Sequence, residues 1–145
     1  MNGEKAEPAV LMAMLDKADE KLQAAQRELK DKFYGESASR AYYAVFHAVC
    51  AVLAGRGLSF ASHSQAIGAF NREFIKTGIF PGDTARKIQR LFEDRQTADY
   101  DWSIHVDEAT AIEDVHDAEW LVSACRKHLV QTGFLNGDSS TNMPI

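Results

Sequence analysis

Proline, cysteine and long apolar runs are all scarce in this chain. Only three prolines occur in 145 residues, and each lies outside the segments with helical periodicity, so none breaks a helix. The two cysteines, Cys50 and Cys125, sit in apolar helical patterns and form no CxxC pair. They are expected to be reduced core residues of a cytoplasmic protein, which excludes a disulfide staple and a thiolate metal site. Every apolar run is interrupted by polar or charged residues well before the ~18 residues that a membrane-spanning helix needs. The opening MNGEKAEPAV lacks the charged-then-apolar order of a secretory signal. Alternating β-branched residues are missing, so no sheet is expected. There is no glycine-rich phosphate loop and no GxSxG elbow. His105, His116 and His128 stand at no ligand spacing from Asp or Glu, so neither a metal nor a cofactor is expected. A formal net charge of −5 argues against nucleic-acid binding by bulk charge alone.

What the chain does have is an almost wholly apolar helix-length segment, SASRAYYAVFHAVCAVLA, from Ser37 to Ala54. Tyr42, Phe46, Val49 and Leu53 form one stripe. Ala41, Val45, Ala48 and Val52 form a second. Arg40, Tyr43, His47 and Cys50 form a third. A helix apolar all round belongs at the centre of a bundle. An arginine there must meet a cleft, an interface or a buried carboxylate, because an unpaired buried charge is costly. Asp99 and Asp101 are the expected partners of Arg40. His47 is then either a core histidine or a group opening on the same cleft.

The rest of the periodicity predicts an all-α, up-and-down antiparallel bundle of five helices over residues 1–133, followed by a polar tail over 134–145. The first helix runs from about Pro8 to Lys32, with Leu11, Leu15, Ala18, Leu22, Ala25 and Leu29 as an apolar seam. Ser37 is expected to cap the second helix, which ends at Gly55-Arg56-Gly57. Ser62 opens the third in a capping box with Gln65, and Gly78 closes it. Pro81-Gly82-Asp83 turns into the fourth. A loop is expected from Thr97 to His105, and the fifth helix covers about Val106 to Thr132. Charge is uneven along the chain: Arg72–Arg95 holds six basic residues, and Asp107–Glu119 holds six acidic ones with no Lys or Arg. Either a local basic face or two complementary helix faces would account for it. The extent of apolar surface on the first two helices predicts a homodimer.

Three segments in order, SRAYYAVFHA (Ser39–Ala48), SHSQAIGAFNREFIKTG (Ser62–Gly78) and FEDRQTADYD (Phe92–Asp101), resemble the HEPN-domain family of small prokaryotic helical bundles. The resemblance runs from about Leu11 to Leu129. It implies a helical bundle that pairs with a small nucleotidyltransferase in a two-protein, toxin–antitoxin-like system, with RNA or a nucleotide as ligand. HEPN ribonucleases carry an arginine, four to six residues, then a histidine, and act without metal. Arg40 and His47 match that spacing literally and are the candidate catalytic pair. The family's motif usually lies on a later helix, where Arg95-Gln96-Thr97-Ala98-Asp99-Tyr100 looks equivalent but has Asp99 in the place of histidine. An ionised aspartate cannot donate a proton at neutral pH.

The candidate ligand- or partner-binding residues are therefore Arg40, Tyr43, His47, His63, Arg95, Asp99 and Tyr100. A binding module is the leading expectation. A metal-independent ribonuclease toxin and a purely structural bundle are the alternatives. The loss of the proton-transfer histidine predicts weak or absent ribonuclease activity.

Overall fold

The computed structural model describes residues 3–135. Five α-helices follow in order: α1 (Pro8–Lys30), α2 (Tyr34–Gly55), α3 (His63–Phe70), α4 (Thr84–Tyr100) and α5 (Glu108–Gln131). A π-helical turn, Asn71–Ile75, extends α3. Among the described residues there is no strand, and no helix is long and apolar enough to cross a membrane.

The central-helix expectation holds for α2. It packs against α1, α3, α4 and α5, and twelve of its 22 residues are buried. Tyr42, Val45, Val49, Val52 and Leu53 are all essentially inaccessible. The seam of α1 covers one side through Leu11, Leu15, Ala18 and Ala25. Val115, Ala118, Leu121, Val122, Cys125 and Leu129 of α5 complete the core.

α2 begins four residues earlier than a Ser37 cap would have it. Ser37 does not cap it; Phe33 stands at the cap position without a side-chain bond. The Ser37 hydroxyl is fully buried and donates instead to the Ala25 carbonyl, 2.8 Å away on α1. The α1–α2 turn is closed by Lys32 in the left-handed region, φ 68°. Its N–H donates to the Leu29 carbonyl and the Phe33 N–H to that of Glu28, at 3.1 and 2.8 Å. This is the paired bond of a Schellman ending, built on a residue with a Cβ. Gly57 fills the same role after α2 with φ 76°. There a Cβ would lie 2.1 Å from the Gly3 carbonyl oxygen, because Gly3 donates its N–H to the Gly57 carbonyl at 2.7 Å. The Ser62 hydroxyl caps α3 as expected, accepting from the Gln65 N–H at 3.1 Å.

Two boundaries are corrected. The stretch expected to be a loop from Thr97 is still helical as far as Tyr100. Phe134 and Leu135 donate their N–H groups to the Leu129 carbonyl and Leu135 is buried, so the chain stays packed at the start of the expected tail. The remainder of that tail, from residue 136, lies outside the described residues.

The α4–α5 seam is electrostatic. Arg90 donates to Asp117 at 2.5 Å and to Asp114 at 3.3 Å, and pairs with Glu113 at 3.3 Å and Asp94 at 3.9 Å. The basic and acidic stretches thus complement each other at this point. Asp114 is fully buried. Burial, together with a hydrogen bond and repulsion from Asp94, raises its pKa well above the ordinary carboxylate range, although Arg90 opposes the rise. The folded state therefore keeps a proton that the unfolded chain has already released. Stability should fall as pH climbs from the ordinary carboxylate value of about 4 through neutrality. Asp114→Asn cannot lose that proton, so urea unfolding at about pH 5 and about pH 8 should show a shallower decline than the parent. Equal slopes in the two proteins would place the proton elsewhere.

Candidate functional site

Ile88 and Leu91 of α4 face inward, and Arg95 is the next residue on the same stripe. It is only 7 % exposed, so a permanently charged group is driven into the interior. Four aromatic rings receive it. The guanidinium carbon lies 5.0 Å from the ring centre of Tyr42, 5.5 Å from Tyr43, 5.2 Å from Phe92 and 5.9 Å from Tyr100. Aromatic faces attract a cation, and more strongly where water is excluded. The carboxylate contact is long: Asp99, one turn on, reaches an Arg95 terminal nitrogen at 3.9 Å. The buried Nε of Arg95 has no hydrogen-bond partner among the described residues. A buried guanidinium with one loose counter-charge and an unused donor is suited to an anion with several oxygens.

Tyr42 and Tyr43 reach the cage from α2. Tyr42 is fully buried, and its hydroxyl lies 2.8 Å from Nδ1 of His63. Burial pushes the Tyr42 phenol up to about 12, against the pull of Arg95, so it keeps its proton. His63 stacks on Phe46 with ring centres 3.9 Å apart. Its pKa is lowered, by burial first and then by Arg95. Tyr43, His63, Arg95, Asp99 and Tyr100 are thus brought together from three helices.

Arg40 and His47 are not part of this assembly. Arg40 is not buried and does not pair with Asp99 or Asp101. Its side chain is 46 % exposed and meets Glu28 of α1 at 3.4 Å. Asp101 instead accepts from the backbone and hydroxyl of Ser103. His47 lines an open apolar groove with Ala9, Val10, Ala13, Met14 and Lys17 of α1. Burial, then Lys21 and Lys17, lowers its pKa. The seven-residue spacing places both side chains over α1, each with its own neighbours, and no common point is built between them. Tyr42, Phe46 and Phe92 were missed as site residues, because each also satisfies the apolar stripe of its helix. One signal was available for Arg95: it continues the Ile88–Leu91 stripe, where a leucine would be ordinary.

Next to the cage is a cavity of about 750 Å³, lined by Glu36, Asp99, Tyr100, Asp101, Trp102 and His105 among others. Trp102 is 90 % and Tyr100 72 % exposed, with Ile104 and Phe33 also open. Its carboxylates disfavour phosphate inside it. An aromatic and acidic end of this kind suits a protein contact better.

Comparison with known proteins agrees with this architecture. The HEPN domain model matches residues 11–128. A UPF0332 protein of Thermotoga maritima is 37% identical over 111 residues, covering 77% of this chain and 84% of that protein. A Methanocaldococcus jannaschii protein named "Putative toxin" is 30% identical over 129 residues, covering 89% of this chain and 88% of its own. A UPF0332 protein of Archaeoglobus fulgidus is 32% identical over 110 residues, 76% of this chain and 87% of that one.

The contrast between the two arginines is measurable. Arg40→Ala should change unfolding free energy by less than about 1 kcal/mol, as for an exposed ion pair. Arg95→Met should be no less stable than the parent, because the desolvation of a loosely paired buried charge commonly outweighs its attraction. Thermal melts of the two variants decide the matter; a large loss for Arg95→Met would make the cage a structural device.

Proposed function

This chain belongs to the HEPN domain family, and from that premise we propose that it is the toxin-like, phosphate-binding member of a two-protein system whose other component is a small nucleotidyltransferase. The observation that carries the reading is the caged Arg95, whose Nε is buried and unpartnered and whose one carboxylate stands 3.9 Å away. A phosphate of RNA or of a nucleotide supplies the oxygens that this guanidinium lacks. Tyr100, at the rim and largely exposed, offers a face on which the attached base can stack. The acidic cavity beside it, with Trp102 at its edge, offers a separate surface for the protein partner.

A homodimer is part of the proposal, on a different footing from the one the sequence suggested. The stripe Ala41–Val45–Ala48–Val52 of α2, with Tyr42, Val49 and Leu53, is covered within one chain. An open apolar groove remains between α1 and α2 around Val10, Met14 and His47, which a second copy can cover.

Metal-independent ribonuclease activity is a second reading, favoured by the presence of His63 beside the cage. It would need a group to take the ribose 2′-hydroxyl proton and a cation on the reacting phosphate. No histidine follows Arg95 on α4, where Asp99 and Tyr100 stand instead.

Three measurements test these readings. A fluorescent single-stranded RNA should bind the parent, and Arg95→Met should weaken it at least about tenfold, as for loss of a charge-assisted contact. Arg40→Ala should leave it unchanged. Equal binding by the parent and Arg95→Met would remove the phosphate-site reading. Co-expression with the adjacent reading frame should yield a complex that Trp102→Ala weakens. In chelator the isolated protein should cleave an RNA pool slowly or not at all, whereas rapid cleavage lost in His63→Ala would make the protein a ribonuclease.

A further inference from the structure

Cations and aromatic rings are paired in several places in this molecule. Arg56 lies over Phe74 and Lys87 over Trp120, both at 4.3 Å, and Lys5 lies over Phe134 at 5.4 Å. Arg95 fills the cage. Trp102 is the exception. Indole attracts a cation more strongly than the other aromatic rings do, yet among the described residues no Lys or Arg lies over Trp102. It is almost wholly exposed at the edge of the largest cavity described above.

That cavity is enclosed by the start of α2, the end of α4 and the loop that leads to α5. Its lining includes Glu36, Asp99 and Asp101 and neither Lys nor Arg. Asp99 shares its charge with Arg95 at 3.9 Å. Arg40, one turn along α2 from Glu36, pairs with Glu28 instead. Glu36 therefore serves the start of α2, a role that calls for no bare indole beside it. Ser103 donates its hydroxyl and its N–H to Oδ1 of Asp101. Both bonds hold that carboxyl below the usual range, so its charge persists. Carboxylates in this number repel RNA and phosphate. A bare indole among unpaired carboxylates matches a guanidinium, which stacks on rings and offers a fork of donors to a carboxylate. The exposed rings of Tyr100 and Trp102 and the side chain of Ile104 form the apolar rim that a protein contact uses.

We propose that this cavity receives an arginine side chain from a basic segment of the protein partner, with the guanidinium over Trp102 and its charge met by the lining carboxylates. The proposal rests on the two-protein reading above and adds to it the chemistry of the partner's contact. The partner then approaches beside the Arg95 cage, since Asp99 and Tyr100 belong to both.

The test uses the full chain and an end-blocked pentapeptide, Gly-Gly-Arg-Gly-Gly, with citrulline and lysine versions beside it. Citrulline keeps the shape of arginine and lacks its charge. The signal read is the indole 15N–1H resonance of Trp102, identified by its absence from Trp102→Ala. It should move saturably with the arginine peptide. The citrulline peptide should need at least about tenfold more, and the lysine peptide should fall between them. Glu36→Gln should weaken the arginine peptide by up to about fivefold, as for one exposed ion pair. Asp16→Asn, an exposed carboxylate of α1 outside the cavity, should leave it unchanged. Equal response to arginine and citrulline, or equal losses in Asp16→Asn and Glu36→Gln, would overturn the proposal. Sedimentation adds a further check: a dimer that becomes a monomer in Trp102→Ala would put a second copy in the cavity and overturn it too. Should the product of the adjacent reading frame bind the parent, Trp102→Ala and Glu36→Gln equally, the cavity is not its contact, and the two-protein reading stands. Should no such complex form while the arginine peptide binds as expected, it is the two-protein reading that fails.

Discussion

A guanidinium that cannot lose its charge has been placed under the surface of α4, and much of the molecule is arranged around that constraint. Water would solvate it best, yet Arg95 is 7 % exposed. Rings at 5.0–5.9 Å take over part of the solvation. That requires aromatic residues on two helices to converge, Tyr42 and Tyr43 from α2 and Phe92 and Tyr100 from α4. Burying Tyr42 for this purpose creates a phenol in need of a partner, and α3 supplies one in His63. The site is thus a chain of obligations: a charge needs rings, one ring carries a hydroxyl, and the hydroxyl needs an imidazole.

Much of the fold was legible because apolar residues recur at helical spacing in long, uninterrupted segments. Leu11–Leu15–Ala18–Ala25 and Val115–Ala118–Val122–Cys125–Leu129 are buried where the spacing puts them. The errors fell where a polar residue lies inside a helix. Ser37 reads as a cap because serine competes for backbone groups; here it spends its hydroxyl on a neighbouring helix. Thr97 to Tyr100 reads as a loop because it shows no apolar face, but the helix continues to Tyr100, whose ring faces the Arg95 guanidinium. Within one helix these alternatives differ little in energy, and the neighbouring helix decides.

The site was half legible for a related reason. Spacing along one helix says which side chains share a face, not what that face meets. Arg40 and His47 share a face, and it meets α1, where Glu28 takes the one and an open groove receives the other. Tyr43, His63, Arg95, Asp99 and Tyr100 come together across three helices, and the resemblance pointed to most of them. Tyr42, Phe46 and Phe92 escaped because a residue serving both core and site looks like core alone.

The Arg90–Asp114 seam carries a consequence for the whole molecule. α4 is seated mainly on α2 and touches α5 only lightly, so the guanidinium of Arg90, paired with Asp114 and Asp117, makes up much of what joins α4 to α5, beside an Asp114 that burial holds toward its protonated form. The same helix carries Arg95. Asp94 immediately precedes Arg95 in the chain, so a proton at this seam and an anion on Arg95, as proposed, would be two ligands of one turn of α4, and thermodynamic reciprocity would make each an effector of the other.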